Sequence, residues 1–368
     1  MSRAPRVLVS GVVLAQPQGG VRRHNAQLLP RLGRLLDEAG GHLAILTGPA
    51  ELPFPLPPSV ELLRSDVPAG PPTARARREG RALRTELERA RQAGTPFDLV
   101  HTAHHPVPRA IVQGVPFTLT VHDLRSLDFA GAPTVRRWLG KTVLGGAVRN
   151  ARRVFAVSEW VASRLRAHFD LDAERIGLVP NGCDHATVLE RCPGPDAPLL
   201  HVGHIEPRKN LELLVEALAL DPGLPDLCLV GAPKARARED LEARARDRGV
   251  RERLHFLGTL SDEELAEQYA RAGCVVIPSW LEGFGIPAVE ALRAGAPLAV
   301  SNAGALPEVT GDRAEHFDPA DASACVRAIR CAMERDAAPG EGPALPTWDE
   351  SARSWYEGLC AAAVPSND

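Results

Sequence analysis

Two glutamates flank a glycine-rich stretch in the second half of the chain. Glu282 and Glu290 stand eight positions apart in the segment EGFGIPAVE. On one unbroken helix they would be about 12 Å apart, whereas the paired carboxylates of a retaining glycosidase lie about 5 Å apart. We therefore expect two separate roles. Glu290 can accept hydrogen bonds from vicinal hydroxyls such as those of a ribose, and Glu282 from the hydroxyls of a second, sugar-like group.

The backbone between these acids is suited to an anion. Gly283 and Gly285 let N–H groups approach a ligand without side-chain obstruction. Pro287 fits the first turn of a helix that would carry Glu290 about one turn further on. An acid near a helix start is also common for electrostatic reasons alone. The spacing therefore leaves both interpretations of Glu290 open.

Arg208 and Lys209 form a cationic pair after a predicted strand, Leu199–Val202, in the segment GHIEPRKN that begins at Gly203. An amphipathic stretch follows, with Asn210 available as its cap. Two cations at the mouth of a helix add to the partial positive charge of its free N–H groups. This pattern predicts a phosphate site, with an ordinary solvated basic pair as the alternative.

The first half of the chain offers two weaker candidates. The loop QPQGGVRR, which contains Gly19 and Gly20, lacks the G-x-G-x-x-G fingerprint of dinucleotide-binding proteins. Its glycines and arginines still suit a single diphosphate. His122 ends another predicted strand beside Asp123, which suits contact with a reacting group. Ordinary loop packing is the alternative for His122.

No metal site is expected. His101 and His105 have the spacing of two ligands on a helix, but Pro106 and Pro108 make this segment a loop. The seven cysteines contain no C-x-x-C pair and no ligand-like spacing to histidine. These features argue against a disulfide framework or a structural zinc and fit a reducing cytosol.

Short apolar runs alternate with longer amphipathic stretches along the whole chain. Such runs are typical of parallel strands that are buried on both faces and joined by crossover helices. The sequence predicts an α/β fold with two Rossmann-like, doubly wound parallel-sheet domains that face each other across a cleft. The predicted strands are 7–14, 43–46, 99–101, 117–121, 154–157 and 176–179, then 199–202, 227–230, 254–257, 274–277 and 298–300.

A chain of 368 residues is too long for one ordinary hydrophobic core. We predict an N-terminal domain over 1–182, a linker over 183–197, where Pro, Gly, Cys and Asp replace the periodic pattern, and a C-terminal domain over 198–346. A last helix within 347–368 carries two tryptophans and a tyrosine, which we expect to be packing anchors. We expect this helix to cross back to the N-terminal domain.

The net charge of −3 is too small to argue for nucleic acid. No stretch reaches the ~18 apolar residues that a membrane span needs. The segment 71–92, however, contains seven arginines and three glutamates. It could bind an anionic lipid surface or an acidic acceptor. A solvated helix is the alternative.

Taken together, these residues closely resemble the retaining glycosyltransferases with the GT-B fold, in particular the family 4 type that carries an E-x7-E motif. In the first half the resemblance rests on Gly19-Gly20, His122-Asp123 and Val157-Ser158. In the second half it is extensive. It covers Asn181-Gly182, Gly203 to Asn210, Phe256-Leu257-Gly258, Pro278 to Leu292 and Ser301 to Glu308.

The resemblance implies a role for each matching residue. Arg208 and Lys209 would hold the diphosphate of a nucleotide-sugar donor and neutralise charge as the nucleotide leaves. Glu290 would bind the ribose, and Glu282 would lie beside the donor sugar. The other implied donor contacts are the loops at Gly19, Gly20 and Gly203, the segment of Gly283, Phe284 and Gly285, and the region of Phe256 and Leu257 near the base. His122 would lie near the donor sugar and the acceptor.

The implied activity is transfer of a hexosyl group, with retention of anomeric configuration, to a saccharide or glycolipid acceptor in surface polysaccharide or glycoconjugate synthesis. The N-terminal domain would face the acceptor and the C-terminal domain would bind the donor. The likeness slightly favours GDP-mannose, with a UDP-sugar next, and no cofactor or metal. The implied location is the cytoplasm, with peripheral contact at the inner face of the membrane left open.

Two alternatives stay open, a non-catalytic nucleotide-sugar-binding protein and another GT-B enzyme such as an epimerase. On the transferase interpretation, Lys209→Ala and Glu290→Ala should cripple transfer and leave the melting temperature nearly unchanged.

Overall fold

The chain forms two compact units. The computed structural model describes residues 3–15, 19–103, 107, 115–129, 134–335 and 345–364. The first unit comprises Met1–Leu127, Ala132–Gly182 and Pro346–Asp368, and the second comprises Asp128–Gly131 and Cys183–Leu345.

A parallel sheet forms the centre of the first unit. Its strands are β1 (Arg6–Ser10), β2 (His42–Thr47), β3 (Val60–Arg64), β4 (Leu99–Thr102), β5 (Phe117–Val121), β6 (Arg153–Ala156) and β7 (Ile176–Leu178). They lie in the order β3-β2-β1-β4-β5-β6-β7. The helices are α1 (Gly20–Glu38), α2 (Pro72–Gln92), α3 (Arg125–Asp128), α4 (Thr134–Asn150) and α5 (Glu159–Phe169). Central strands such as β4 and β5 are buried along their whole length, as continuous apolar runs predict.

The second unit repeats this design with fewer strands. They are β8 (Leu199–Val202), β9 (Leu227–Val230), β10 (Leu254–Gly258), β11 (Cys274–Ile277), β12 (Leu298–Ser301) and β13 (Glu315–Phe317). All pair in parallel, in the order β10-β9-β8-β11-β12-β13. The helices are α6 (Leu211–Leu220), α7 (Ala237–Asp247), α8 (Asp262–Arg271), α9 (Ile286–Arg293), α10 (Leu306–Thr310) and α11 (Ala322–Glu334). The predicted α/β class with two doubly wound parallel sheets is confirmed.

The predicted first strand, 7–14, is wrong in its second half. The strand β1 ends at Ser10, and Val12–Ala15 form a short 3-10 helix. A Cβ atom at Gly11 would lie only 2.5 Å from Ile45 Cγ2 on the neighbouring strand. The chain therefore turns where its backbone comes too close to β2 for a side chain.

Two edge strands were not predicted, β3 and β13. Along β3 only Val60 is buried, and β13 has three residues. An edge strand faces solvent on one side and needs no continuous apolar run. The run that identified the central strands is therefore missing from both.

The last helix, α12 (Trp348–Ala363), packs in the core of the first unit. Thr347 and Glu350 form a capping box at its start, with each side chain bonded to the other residue's backbone N–H. Trp348 and Trp355 are fully buried among residues of α1 such as Leu28. These aromatic residues are packing anchors, as the sequence indicated.

The segment 183–197 packs on the second unit. Arg191 donates hydrogen bonds to the carbonyl oxygens of Tyr269 (2.8 Å) and Ala272 (2.9 Å) at the end of α8. The Cys192 N–H donates to Ala270 O at 3.0 Å. These bonds give the segment a fixed course along α8.

The arginine-rich helix α2 has one buried face. Arg75 and Glu79 are buried and lie 3.7 Å apart as an ion pair, and Ser10 Oγ donates to Glu79 Oε1 at 2.5 Å. Neither interpretation of the sequence included this buried pair. Six arginines of α2 are exposed, namely Arg77, Arg78, Arg81, Arg84, Arg89 and Arg91. Among the described residues, no helix combines the length and apolar character that a bilayer crossing requires.

Gly182 should be essential for the packing of α12. A Cβ atom at this position would lie 2.4 Å from the Trp348 backbone nitrogen, which cannot move without shifting the helix. We predict that Gly182→Ala lowers the free energy of unfolding by about 1–3 kcal/mol in urea titrations followed by tryptophan fluorescence. Gly194→Ala is the control, because a Cβ atom there would meet none of the described residues within 4 Å. Equal midpoints for the two variants would contradict this account.

Candidate functional site

The loops that follow β8 and β11 meet at the carboxyl edge of the second sheet, where α/β proteins bind ligands. Pro207–Lys209 form a single 3-10 turn, and Asn210 adopts the left-handed conformation with φ of 55°. The sequence suggested that the Asn210 side chain caps α6, but it makes no capping hydrogen bond. Instead Asn210 Nδ2 donates to Pro278 O (3.0 Å) and Pro319 O (2.8 Å), which ties the turn to two neighbouring loops.

Glu282 lies buried between the two predicted cations. Lys209 Nζ donates to Glu282 Oε1 at 2.6 Å, and Arg208 Nη1 donates to Oε2 at 3.0 Å. Ser279 Oγ donates to Oε1 at 2.6 Å. Burial alone would raise the pKa of Glu282, but the charges of Lys209 and Arg208 outweigh it and hold that pKa far below its ordinary value. The carboxylate therefore stays ionised.

A second carboxylate extends this network. Glu206 accepts from Arg208 Nη2 and from Lys234 Nζ, both at 2.8 Å. Burial opposes ionisation of Glu206, but these two partners lower its pKa to about 2. Cations and carboxylates thus alternate in the order Lys234, Glu206, Arg208, Glu282, Lys209. This five-member charge network carries one positive charge in excess.

Two glycines leave room for the residues of this charge network. Gly203 has φ of 151°, and a Cβ there would lie 3.2 Å from Lys209 Cε. Gly304 has φ of 64°, and its Cβ would lie 2.3 Å from Glu282 O. Both positions therefore require glycine for conformation and for space. Ala305 N also donates to Glu282 O at 2.9 Å, which fixes the backbone of the acid.

Glu290 lies in the first turns of α9 with a separate set of partners. The Tyr269 hydroxyl donates a hydrogen bond to Glu290 Oε2 at 2.9 Å, and His185 Nε2 lies 3.0 Å from Glu290 Oε1. Glu290 is buried, with 4% of its surface exposed. Gly285, with φ of 97°, precedes the helix, and Pro287 occupies its first turn as predicted. The two glutamates thus have different environments, one among cations and the other beside a phenol and an imidazole.

The segment of β10 that the resemblance placed near a base has mixed exposure. The Phe256 ring is partly buried, with the Arg238 guanidinium 4.5 Å and that of Arg251 5.6 Å from its centroid. Leu257 is exposed, and Gly258 O accepts from the Gly231 N–H at 2.7 Å. Phe256 therefore already has cationic partners in the protein. In the loop before α9, Gly283 and Phe284 are buried.

The other residues that the sequence predicted as site residues belong to the first unit. Gly19, with φ of 127°, is the N-cap of α1, and Gly20 is its first residue; both are exposed. The loop residues 16–18 lie outside the described ranges. His122 follows β5 and is partly buried, with its ring centroid 4.7 Å from that of His24.

Of the histidines in the segment that was considered for a metal, the structure describes only His101. His101 is buried in β4, where its Nδ1 lies 2.9 Å from Thr118 Oγ1. His104 and His105 lie outside the described residues.

Sequence reasoning missed several functional candidates. Glu206, Ser279 and Lys234 have ordinary types and no distinctive spacing, and only the fold brings them to Arg208 and Glu282. His185 and Tyr269 meet Glu290 across 105 and 21 residues of sequence. Glu206 and Ser279 had a usable signal, because both stand inside segments that carry the family resemblance.

Two family models together match nearly the whole chain, one in each half. The model described as Glycosyltransferase Family 4 matches residues 18–187, and the one described as Glycosyl transferases group 1 matches residues 191–353. The second match contains the charge network and Glu290. The chain belongs to the group 1, family 4 glycosyltransferases. The predicted membership in the family 4 type of glycosyltransferases is thereby confirmed.

Relatives with known names include mannosyltransferases. The chain is 32% identical over 226 residues to an MMP alpha-(1->4)-mannosyltransferase of Mycolicibacterium hassiacum, covering 60% of this chain and 52% of that protein. It is 31% identical over 215 residues to the O-antigen chain mannosyltransferase B of Escherichia coli, covering 54% and 56%. The matches thus span about half the length of these relatives.

A solved structure supports the fold over almost all of the chain. Anabaena HepE in complex with UDP and glucose matches with a TM-score of 0.65 and 17% identity, covering 96% of this glycosyltransferase and 95% of HepE. Together with the two parallel-sheet units, this likeness confirms the GT-B fold class.

The ion pair changes the expectation for Lys209. The sequence suggested that Lys209→Ala would leave the melting temperature nearly unchanged, but Lys209 and Glu282 are buried together. Removal of one partner of a buried pair leaves an uncompensated charge. We predict that Lys209→Met lowers the free energy of unfolding by about 3 kcal/mol in urea titrations.

The double variant Lys209→Met/Glu282→Gln should recover most of that loss, because no charge is then left unpaired between them. Lys234→Met is the matched control at the exposed end of the network, where 47% of the side chain is accessible. It should change stability by less than about 1 kcal/mol. Similar losses of unfolding free energy in Lys209→Met and Lys234→Met would contradict the claim that burial makes the Lys209–Glu282 pair the more costly one to break.

Proposed function

We propose that this glycosyltransferase is a retaining, metal-independent hexosyltransferase that moves a hexosyl group from a nucleoside-diphosphate sugar to a saccharide or glycolipid acceptor. The observation that carries the proposal is the charge network at the carboxyl edge of the second sheet. Arg208 and Lys209 are fixed there by Glu282 and Glu206, and Lys234 brings the network to one positive charge in excess. A diphosphate is the leaving group that such a site stabilises.

Lys209 is suited to accept part of the charge that develops on this leaving group. An ammonium has three donors, and the bond to Glu282 uses one of them. Because Asn210 and Glu282 hold the turn before any ligand arrives, little reorganisation is needed during the reaction. Fixed donors of this kind stabilise a transition state without a compensating cost, and we propose that they replace a divalent cation.

We assign Glu282 two tasks. It keeps Arg208 and Lys209 together, and its Oε2, which accepts one bond from Arg208, has a second lone pair that can accept a hydroxyl of the donor sugar. Glu290 is proposed to accept the vicinal hydroxyls of the ribose, with Tyr269 and His185 holding its carboxylate in one orientation. In the first unit, we propose that Gly19 and Gly20 approach the diphosphate and that His122 acts beside the reacting sugar.

The proposed identities of the donor and the acceptor rest on the named relatives and not on the charge network. Mannosyltransferases among the named relatives favour GDP-mannose, and the UDP and glucose in the HepE complex favour a UDP-sugar as the next choice. The O-antigen relative favours a saccharide or glycolipid acceptor in surface polysaccharide synthesis. Action in the cytoplasm, with peripheral membrane contact for a lipid-linked acceptor, belongs to the same proposal.

Transfer assays separate the transferase from its alternatives. The protein, in EDTA, is incubated with GDP-mannose or UDP-glucose and a panel of p-nitrophenyl glycosides. The masses of the products are measured by mass spectrometry, and their anomeric configuration is determined by NMR. The proposal predicts one added hexose with the configuration of the donor. Donor binding without product would indicate the binding-protein alternative, and an altered nucleotide sugar would indicate the epimerase.

Tyr269→Phe tests the assignment of Glu290. The change removes one hydrogen bond to the carboxylate and keeps the ring, so the ribose contact should weaken. We expect the donor KM to rise about tenfold, as the loss of a bond to a charged group of about 1.5 kcal/mol implies, with kcat nearly unchanged. Tyr356→Phe on α12 is the matched control and should leave both constants unaltered. Wild-type KM in Tyr269→Phe would refute the assignment.

A further inference from the structure

His24 lies in the core of the first unit, on the second turn of α1. Its side chain is buried, with 1% of the surface exposed. Nδ1 lies 2.9 Å from Asn181 Oδ1. An amide oxygen only accepts, so Nδ1 carries the proton and Nε2 is a bare acceptor. Burial lowers the pKa of His24 to about 4, and the ring is therefore neutral near pH 7.

The second nitrogen of His24 has no function in packing. Nε2 has no hydrogen-bond partner in the part of the chain that the structure describes. A buried acceptor without a partner costs about 1–3 kcal/mol. A phenylalanine would fill the same space without this cost, although it would also lose the bond to Asn181. Packing alone therefore does not account for histidine at this position.

The ring of His24 is held between two kinds of neighbour. On one side it meets Trp348 and Trp355, with centroid distances of 6.1 and 6.5 Å. His122 lies 4.7 Å away, with the two ring planes at 90°. Edge-to-face rings attract each other through opposite partial charges and resist rotation. The bond to Asn181 and the tryptophans of α12 thus fix a ring that in turn contacts His122.

We propose that His24 is a positioning residue for His122, holding the plane of its imidazole by an edge-to-face contact while Asn181 and the tryptophans of α12 hold His24. This inference rests on the proposed role of His122 beside the reacting sugar. It also gives a task to Asn181, whose motif the diphosphate site does not use.

Two substitutions separate the ring from the hydrogen bond. His24→Asn keeps an N–H donor for Asn181 and removes the ring, whereas His24→Phe keeps a ring and removes the donor. We expect kcat for hexosyl transfer to fall about tenfold in His24→Asn with donor KM unchanged, and to stay within about threefold of wild type in His24→Phe. His42→Asn, at a histidine paired with Glu61 on the surface of the same unit, should change neither constant.

A readout independent of turnover is the side-chain 15N–1H NMR spectrum of His122, assigned by its loss in His122→Gln. Its ring signals should shift or broaden in His24→Asn and stay near wild type in His24→Phe. Unchanged His122 signals in folded His24→Asn, or equal kcat losses in both variants, would overturn the proposal. If His24→Asn does not fold, His24→Gln, which also lacks the ring, takes its place. Absence of transfer in the wild-type protein would instead refute the proposed function, while the NMR comparison would still test the contact.

Discussion

The candidate site depends on the bonds between a buried carboxylate and two adjacent cations. Glu282 is compatible with its buried position only because Lys209 and Arg208 neutralise it. The same bonds hold the cations at the end of β8, where they would otherwise extend into solvent. The site is therefore ordered before a ligand arrives, and the energy of ordering it is part of the folding energy. Such preorganisation is what electrostatic stabilisation of a leaving group requires.

The two glutamates of the segment EGFGIPAVE illustrate how position assigns chemistry. Glu282 remains on the loop and bonds to cations, whereas Glu290 enters α9 and bonds to a phenol and an imidazole. Identical side chains eight positions apart thus have different partners and different electrostatic surroundings. A shared task, as in a carboxylate pair that hydrolyses a glycosidic bond, does not fit these environments. The proposed function instead gives the two glutamates separate contacts with the two ends of one donor molecule.

The sequence predicted the elements whose signal is local. Buried central strands appear as apolar runs, and the Arg208-Lys209 pair could be placed after β8 because the strand, the turn and the helix are adjacent in sequence. Edge strands β3 and β13 have no such run. The partners Glu206, Ser279, Tyr269 and His185 also escaped, because their importance comes from contacts that only the folded chain creates. Arg75 and Glu79 looked like part of a charged surface, since sequence does not show which face of α2 is buried.

The central claim is that Arg208 and Lys209 bind a diphosphate without a metal ion. Isothermal titration of GDP and UDP in EDTA tests it most directly, with the folded double variant Lys209→Met/Glu282→Gln beside the wild-type protein. The account predicts that wild type binds at least one of these diphosphates and that the double variant binds it at least tenfold more weakly, while the corresponding nucleoside without phosphates binds both proteins alike. Equal diphosphate affinity in the two proteins, or binding by wild type only after magnesium is added, would contradict it.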